Sequence, residues 1–518
     1  MQNRPLLHPF LFAIYPVLLL FTQNITHARL SATIVPLIAT LTMAGALLGL
    51  LNWKIKDLPK AAVLTSISLA FFFSYGFIHR GVKILIPVGH GYLLSIFCLV
   101  YAAIVYLILR KSGPLNTLTR FLNIVITTLI GISLLTVTQP IFSLASFQSA
   151  VEYQPKEAIT SERAGEGTTK RDIYYIVLER YGAAETLEEV YGFDNKEFLA
   201  YLEDKGFYVA SRSRANYLKT GHSLASSLNM QYINYLSDEV KMTDNWRPTF
   251  EMLKDHKVQE FLKDQGYEFI HFGGWWEPTR TNEYADLSSS FGAISEFSAS
   301  LAKITAAYPI LSFLKLGPFS RYANYGREIE KLDRLTNIAE RKKPTFTFVH
   351  SFVTHEPFLV DREGQFLPEK KAGHRSEEEK YIEAVQFVNG KLRTVIEELL
   401  SSYDANENHP IIIIQADEGP PPKRYREDEK HFDWREASKE ELQEKMRILN
   451  AYYLPALEES PLYSSITPVN SFRLIFKEYF NVEIDLLPDK SYIFRDGKNI
   501  YDFYDVTEQI QYQEDQVN

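Results

Sequence analysis

The chain has 518 residues, with 55 Lys and Arg against 64 Asp and Glu, and a single cysteine, Cys98. One cysteine excludes an intrachain disulfide framework and a thiolate metal site. Residues 1–150 hold ten basic side chains and one acid, Asp57, which leaves 45 basic and 63 acidic residues beyond them. With that acidic excess and no basic stripe, the later part offers no surface for nucleic acid.

In chain order, five apolar stretches come first, at about 6–25, 31–53, 61–79, 88–109 and 120–144. Each is long enough to cross a hydrocarbon core of roughly 30 Å, which takes about 20 helical residues. A cleaved leader would account for the first stretch but not for the four that follow. With the N-terminus inside, the cytoplasmic segments carry Arg4, Lys54, Lys56, Lys60, Arg110, Lys111 and Arg120, and the outer ones Arg29, Arg80 and Lys83. This asymmetry favours a multi-pass protein of the cytoplasmic membrane, and an odd number of spans then puts everything after about residue 145 outside the cytoplasm. His79, His90 and Tyr92 fall near span ends, where polar side chains either touch lipid headgroups or simply mark the interface.

Residues 151–170 are polar and aperiodic and read as a linker. Over 171–500 the text changes. The runs Ile173–Leu178, Gly206–Ala210, Tyr267–Phe272, Pro344–His350 and Ile411–Ala416 have strand character, and helical patterns such as Asp194–Lys205 and Glu377–Ser402 alternate with them. That alternation predicts a mostly parallel sheet covered by helices. The stretch 501–518 reads as an acidic tail without a motif.

The strand ends carry the chemistry. Ile173–Leu178 runs into Glu179, Ile411–Ala416 into Asp417, Glu418, Gly419 and Pro420, and the strand ending at His350 leads to His355, Glu356 and Pro357. Ligands of open α/β sheets bind at the carboxyl edge, so these groups can converge there, and carboxylates brought together need a cation. The alternative is that acids end strands because loops are wet. Around Thr220 a polar loop turns into a helix near Ser223. A hydroxyl at a helix N-terminus is either a nucleophile whose oxyanion the dipole favours or an ordinary cap.

A strand ending in Glu179, an NYxxT loop 41 residues on at Thr220, an HEPF segment at His355 and a strand-QADEGP segment at Asp417 occur in that order. This resembles the alkaline-phosphatase superfamily, in particular its sulfatase-like membrane branch of lipoteichoic acid synthases and phosphoethanolamine transferases. The resemblance implies about five transmembrane helices followed by an extracytoplasmic α/β/α domain of sulfatase-like fold. It implies Glu179 as a metal ligand, Thr220 as a metal-bound nucleophile, Asp417 as the aspartate of the family's Asp-His pair, and His355 at the transferred group. Position 418 departs from the pattern, with Glu where the family has His. If Glu418 is also a ligand, an all-carboxylate set favours Mn²⁺ or Mg²⁺ over Zn²⁺.

Lys219 and His222 flank Thr220 and, like Lys423, Arg424, Arg426 and His431 beyond the Asp417 segment, are candidates for holding an anionic substrate. Trp275 and Trp276 serve either as a lipid or glycan platform or as core. The function implied is transfer of a phosphate-containing headgroup, of phosphoglycerol or phosphoethanolamine type, from a membrane lipid or lipid-linked donor to a cell-envelope glycan or lipid. Hydrolysis of phosphate or sulfate esters is a second reading, with sulfate ranked low because Thr220 cannot become formylglycine. A degenerate, non-catalytic binding protein marked by Glu418 is the third.

Overall fold

The structure, a computed structural model, describes residues 6–511 apart from 27, 87, 153–169, 241–242, 319, 336–337, 339–340, 404–407 and 458, and gives no side-chain detail for 137–152 and 239–240. The linker expected at 151–170 therefore lies almost wholly outside the described residues. The chain forms two compact units, 1–148 with 294–323, and 149–293 with 324–518.

The first unit contains α1 (His8–Gln23), α2 (Ile34–Ile55), α3 (Leu58–Leu85), α4 (His90–Arg110) and α5 (Asn116–Glu152). Among the described residues four helices are long and apolar enough to cross a membrane: Leu30–Ile55, Leu58–Leu85, His90–Arg110 and Asn116–Thr136. The first expected span is the shorter α1, 16 residues with Pro16 inside it. At about 1.5 Å per residue it falls short of a core of roughly 30 Å. Large apolar side chains such as Val35, Leu99 and Leu135 point outward. Helices apolar on every side need a solvent other than water.

Residues 294–323 interrupt the globular sequence and belong to this unit, so the boundary expected at 150 is incomplete. Phe297, Leu301 and Ile304 cluster with Ala13, Val17, Leu20, Ala44, Leu69 and Phe73 of the first three helices. The backbones also join: Gly76 N donates to Ile304 O at 2.9 Å and Ala306 N to Phe72 O at 2.8 Å. A Cβ at position 76 would lie 2.5 Å from Ile304 Cα, so only glycine permits this approach. Hydropathy misses the segment because its apolar residues alternate with Ser, Lys and Thr.

The second unit is built on a seven-stranded sheet. Its strands are β1 (Ile173–Leu178), β2 (Tyr208–Val209), β3 (Glu268–Phe272), β4 (Leu287–Ser289), β5 (Thr345–Ser351), β6 (Ile411–Ala416) and β7 (Asn450–Tyr453), in the order β2-β7-β6-β1-β5-β3-β4. β6, β1, β5, β3 and β4 run parallel to one another, whereas β7 runs antiparallel to β6 and β2 to β7. All six residues of β1 are buried, as a central strand covered on both faces requires. On one face Ile173, Tyr175 and Val177 pack with Leu224, Leu228 and Phe472. On the other, Tyr174, Ile176 and Leu178 pack with Ala384, Val388 and Leu392 of the helix Glu377–Tyr403. This is the three-layered, mostly parallel fold that the alternating pattern predicts.

The expected tail is in part folded. Phe503–Asp505 pairs with Tyr492–Phe494, and Tyr501 and Ile510 are fully buried. Apolar residues there are too sparse to give a period, yet Tyr501, Val506 and Ile510 fill places in the core, and 512–518 lie outside the described residues.

Candidate metal centre

Register brings the strand ends together. Leu178 of β1 stands level with Ser351 of β5 and with Ala416 of β6, so Glu179 and Asp417 leave adjacent strands at one edge, and His350 sits level with Val177 just inside it. One ligand atom from each of Glu179, His350 and Asp417 lies within 4.8 Å of the others, and all three residues are buried. His350 Nε2 is 2.8 Å from Glu179 Oε2, and Thr279 Oγ1 is 2.8 Å from its other ring nitrogen, which fixes the ring.

Thr220 opens the helix Thr220–Asn229 and donates its hydroxyl to Glu179 Oε1 at 2.9 Å. The helix is locked to the edge by Ser223, which donates to Asp417 O at 2.6 Å, and Thr354 donates to Glu179 O at 2.6 Å. Arg180 adopts φ +62°, a conformation costly for a side chain, and so turns its N–H onto Asp417 Oδ1 at 3.1 Å. Its guanidinium reaches Glu356 at 2.5 Å and Glu418 at 3.3 Å.

Glu418 stands apart from the cluster. Fully buried, it pairs with the equally buried Lys445 at 2.7 Å. Lys445 also donates to Gly419 O at 3.1 Å. A Cβ at Gly419 would lie 2.4 Å from Glu444 O, so glycine is what lets this segment close in. The extra negative charge at 418 is thus answered by the protein's own ammonium. Glu418, expected among the ligands, is held here in an ion pair, and the residue that groups with the two carboxylates is His350, which the sequence did not single out.

Electrostatics favour a cation here. Burial, then the mutual repulsion of Glu179, Asp417 and Glu418, push the Asp417 carboxyl well above its ordinary range, and burial and Glu418 raise Glu179 as well. Burial draws His350 down to about 4, so at neutral pH it is an uncharged imidazole able to act as a ligand. Asp417 Oδ2 is buried with no hydrogen-bond partner among the described residues. Two carboxylates, a neutral imidazole and a hydroxyl suit a divalent ion. The premise for Mn²⁺ or Mg²⁺ over Zn²⁺ was an all-carboxylate set, and a ring nitrogen in the cluster removes it.

The sign of the pH dependence follows. Raised carboxyl values mean that the metal-free fold takes up protons more readily than the unfolded chain. That stabilisation is complete below the ordinary carboxyl range and fades as pH rises through the raised values. Metal displaces those protons, so its affinity grows with pH. We expect the rise in Tm on adding divalent metal to be larger at about pH 8 than at about pH 5.5. Equal rises at both would rule out ligation by these carboxylates.

His355 reaches the edge of the cluster, its Nε2 4.0 Å from Glu179 Oε1 and its ring 5.6 Å from Trp275. Trp275 and Trp276 are half-buried, Trp276 lying edge-on to His350 at 6.0 Å. The other candidates are engaged elsewhere. Lys219 lies over the Tyr425 ring and is 3.4 Å from Glu429. His222 is fully buried among Tyr217, Trp246 and Phe503, neither ring nitrogen has a hydrogen-bond partner among the described residues, and burial draws it down to about 3. It is a core side chain rather than a substrate ligand. Arg424 binds Glu441 and Arg426 binds Glu378, while the exposed Lys423 and His431 face Glu427 and Asp428.

No family profile and no curated protein matches this chain. Solved structures do. The match is to sulfatase-like and alkaline-phosphatase-like structures. The C-terminal periplasmic domain of EcEptC from Escherichia coli aligns at 11% identity and TM-score 0.41, over 64% of this chain and 91% of that one. A protein in the alkaline phosphatase superfamily from Vibrio parahaemolyticus aligns at 12% and 0.39, over 66% and 79%. The lipoteichoic acid synthase LtaP from Listeria monocytogenes aligns at 12% and 0.39, over 65% and 80%.

Proposed function

We propose that this chain is a membrane-anchored, metal-dependent phosphotransferase of sulfatase-like type. In this reading it moves a phosphate-containing headgroup from a membrane lipid or lipid-linked donor to a cell-envelope glycan or lipid acceptor, with its globular part outside the cytoplasmic membrane. The observation that carries it is the Thr220 hydroxyl, at the first turn of a ten-residue helix, bonded to Glu179 beside His350 and Asp417.

Glu179, His350, Asp417 and Thr220 would hold a divalent ion, which supplies charge to acidify a hydroxyl and to offset negative charge on a phosphoryl group. Thr220 Oγ attacks phosphorus, forming the Oγ–P bond as the donor's P–O bond breaks, and the proton that the Thr220 hydroxyl gives up passes by way of His355 to the leaving alkoxide. An acceptor hydroxyl then attacks the same phosphorus, releases Thr220 and completes the transfer. Burial and the neighbouring Arg180 keep His355 neutral, so it can take the proton of the acceptor hydroxyl. The positive N-terminal end of the helix that Thr220 opens would favour the phosphoryl oxygens, while the His222 and Ser223 N–H groups donate to Lys219 O.

The Glu418–Lys445 pair favours a second reading, a binding protein on an enzyme fold, because a charge that could serve a metal is held internally instead. Metal analysis of the purified full-length protein separates the two. We expect about one divalent ion per chain, lost in both Glu179→Gln and Asp417→Asn. Absence of metal after loading with Zn²⁺, Mn²⁺ and Mg²⁺ in turn would exclude the enzymatic reading.

A further inference from the structure

On α3 and α4 a polar cluster and an apolar cavity adjoin. The Tyr75 hydroxyl lies 3.1 Å from His90 Nδ1, and the His79 and His90 rings stack with centroids 3.7 Å apart. His79 is 9% exposed, and its Nε2 is buried with no hydrogen-bond partner among the described residues. Leaving a buried polar atom unpaired costs roughly 1–3 kcal/mol, which a ligand atom at that nitrogen would remove. Phe97, edge-on to Tyr75 at 5.4 Å, links this cluster to a cavity of about 250 Å³ that it lines with Met43, Leu47, Phe71 and Cys98.

The cavity offers carbon. Its two hydroxyls, Ser68 and Tyr101, bond each other at 2.7 Å. Ala306 of the inserted segment supplies another part of the wall, held by its bond to Phe72 O. Ser68, Phe72, Tyr75 and His79 follow one face of α3. Eleven residues at about 1.5 Å each make that stripe roughly 16 Å long, about half the hydrocarbon core and hence the depth of one leaflet. Its polar end is the one toward the α3–α4 turn, where a membrane surface must lie.

We propose that α3 and α4 bind one phospholipid of that leaflet, its phosphate against His79 and His90 and an acyl chain in the cavity. The site shares no residue with the Asp417 cluster and stands whether or not the bound lipid is a donor. The ring nitrogens match phosphate oxygens, and the cavity takes only an apolar chain.

The test uses full-length protein in nanodiscs containing phosphatidylglycerol with a diazirine on one acyl chain, followed by peptide mapping of the cross-links. We expect cross-links to concentrate on 68–72 and 97–101, several-fold above those at the outward-facing Val35 and Leu135. Filling the cavity with Cys98→Trp, or independently with Leu47→Trp, should lower them several-fold, as should His79→Leu combined with His90→Leu. A diazirine fatty-acid methyl ester, which has no phosphate, should label the same peptides several-fold less. Cross-links spread evenly over all outward faces, or undiminished in both filled variants, would overturn the site. Equal labelling by the methyl ester would overturn the role of the two imidazoles.

Discussion

On the proposed reaction, Thr220→Ala is expected to lower headgroup transfer by about 10³-fold or more in kcat, because in that reaction the Thr220 oxygen takes up the phosphoryl group and is not merely a contact. The change should leave the fold intact: Thr220 donates one side-chain hydrogen bond, to Glu179, and the helix remains held by Ser223 on Asp417 O. The measurement is turnover of lipid-phosphate donors by the full-length protein, with Tm and metal content taken on the same sample. Wild-type turnover in the variant would exclude Thr220 as nucleophile. Thr220→Ser keeps the hydroxyl and should retain part of the activity, which a purely packing role would not predict.

Lys445→Met is expected to destabilise the globular part by about 3–5 kcal/mol, since it removes the closest counter-charge of the buried Glu418 carboxylate and leaves Arg180, 3.3 Å away, as its remaining ion-pair partner among the described residues. For a domain of this size that corresponds to a drop in Tm of roughly 5 °C. The double variant Glu418→Gln with Lys445→Met should recover most of the loss, because the buried charges leave together. A single variant that melts with the wild type would mean that water or another group already answers the Glu418 charge. The same pair determines what Glu418→His would do. A histidine at 418 alone leaves Lys445 without its counter-charge, so that variant should be destabilised unless position 445 is changed with it.

The cluster itself was only partly legible along the chain. Glu179 and Asp417 stand out because each follows a strand whose end the sequence marks, and Thr220 because a polar loop turns into a helix there. His350 does not: as the penultimate residue of a buried strand it reads as a core position, and attention falls on His355 five residues later. Arg180 carries a faint signal, a basic residue next to the expected ligand. Lys445 carries none, since a lysine within the helix Lys439–Met446 looks like any solvated residue until the helix is seen to end against Gly419. His222 misleads in the other direction, because a histidine two residues from the nucleophile candidate points into the aromatic core.

The sequence by itself determined the apolar helices of the first unit, the alternation of strand and helix in the second, and the acids at the strand ends. These are properties of local hydrophobic period and of what stops it, so they survive without knowledge of neighbours. Only the tertiary structure decided which polar groups share the crevice, that Glu418 is spent on Lys445, and that residues 294–323 leave the globular unit to pack on α1 and α3. Those outcomes depend on strand register and on desolvation. A one-residue shift in pairing turns a side chain to the other face, and a buried charge must find its partner wherever the chain brings one.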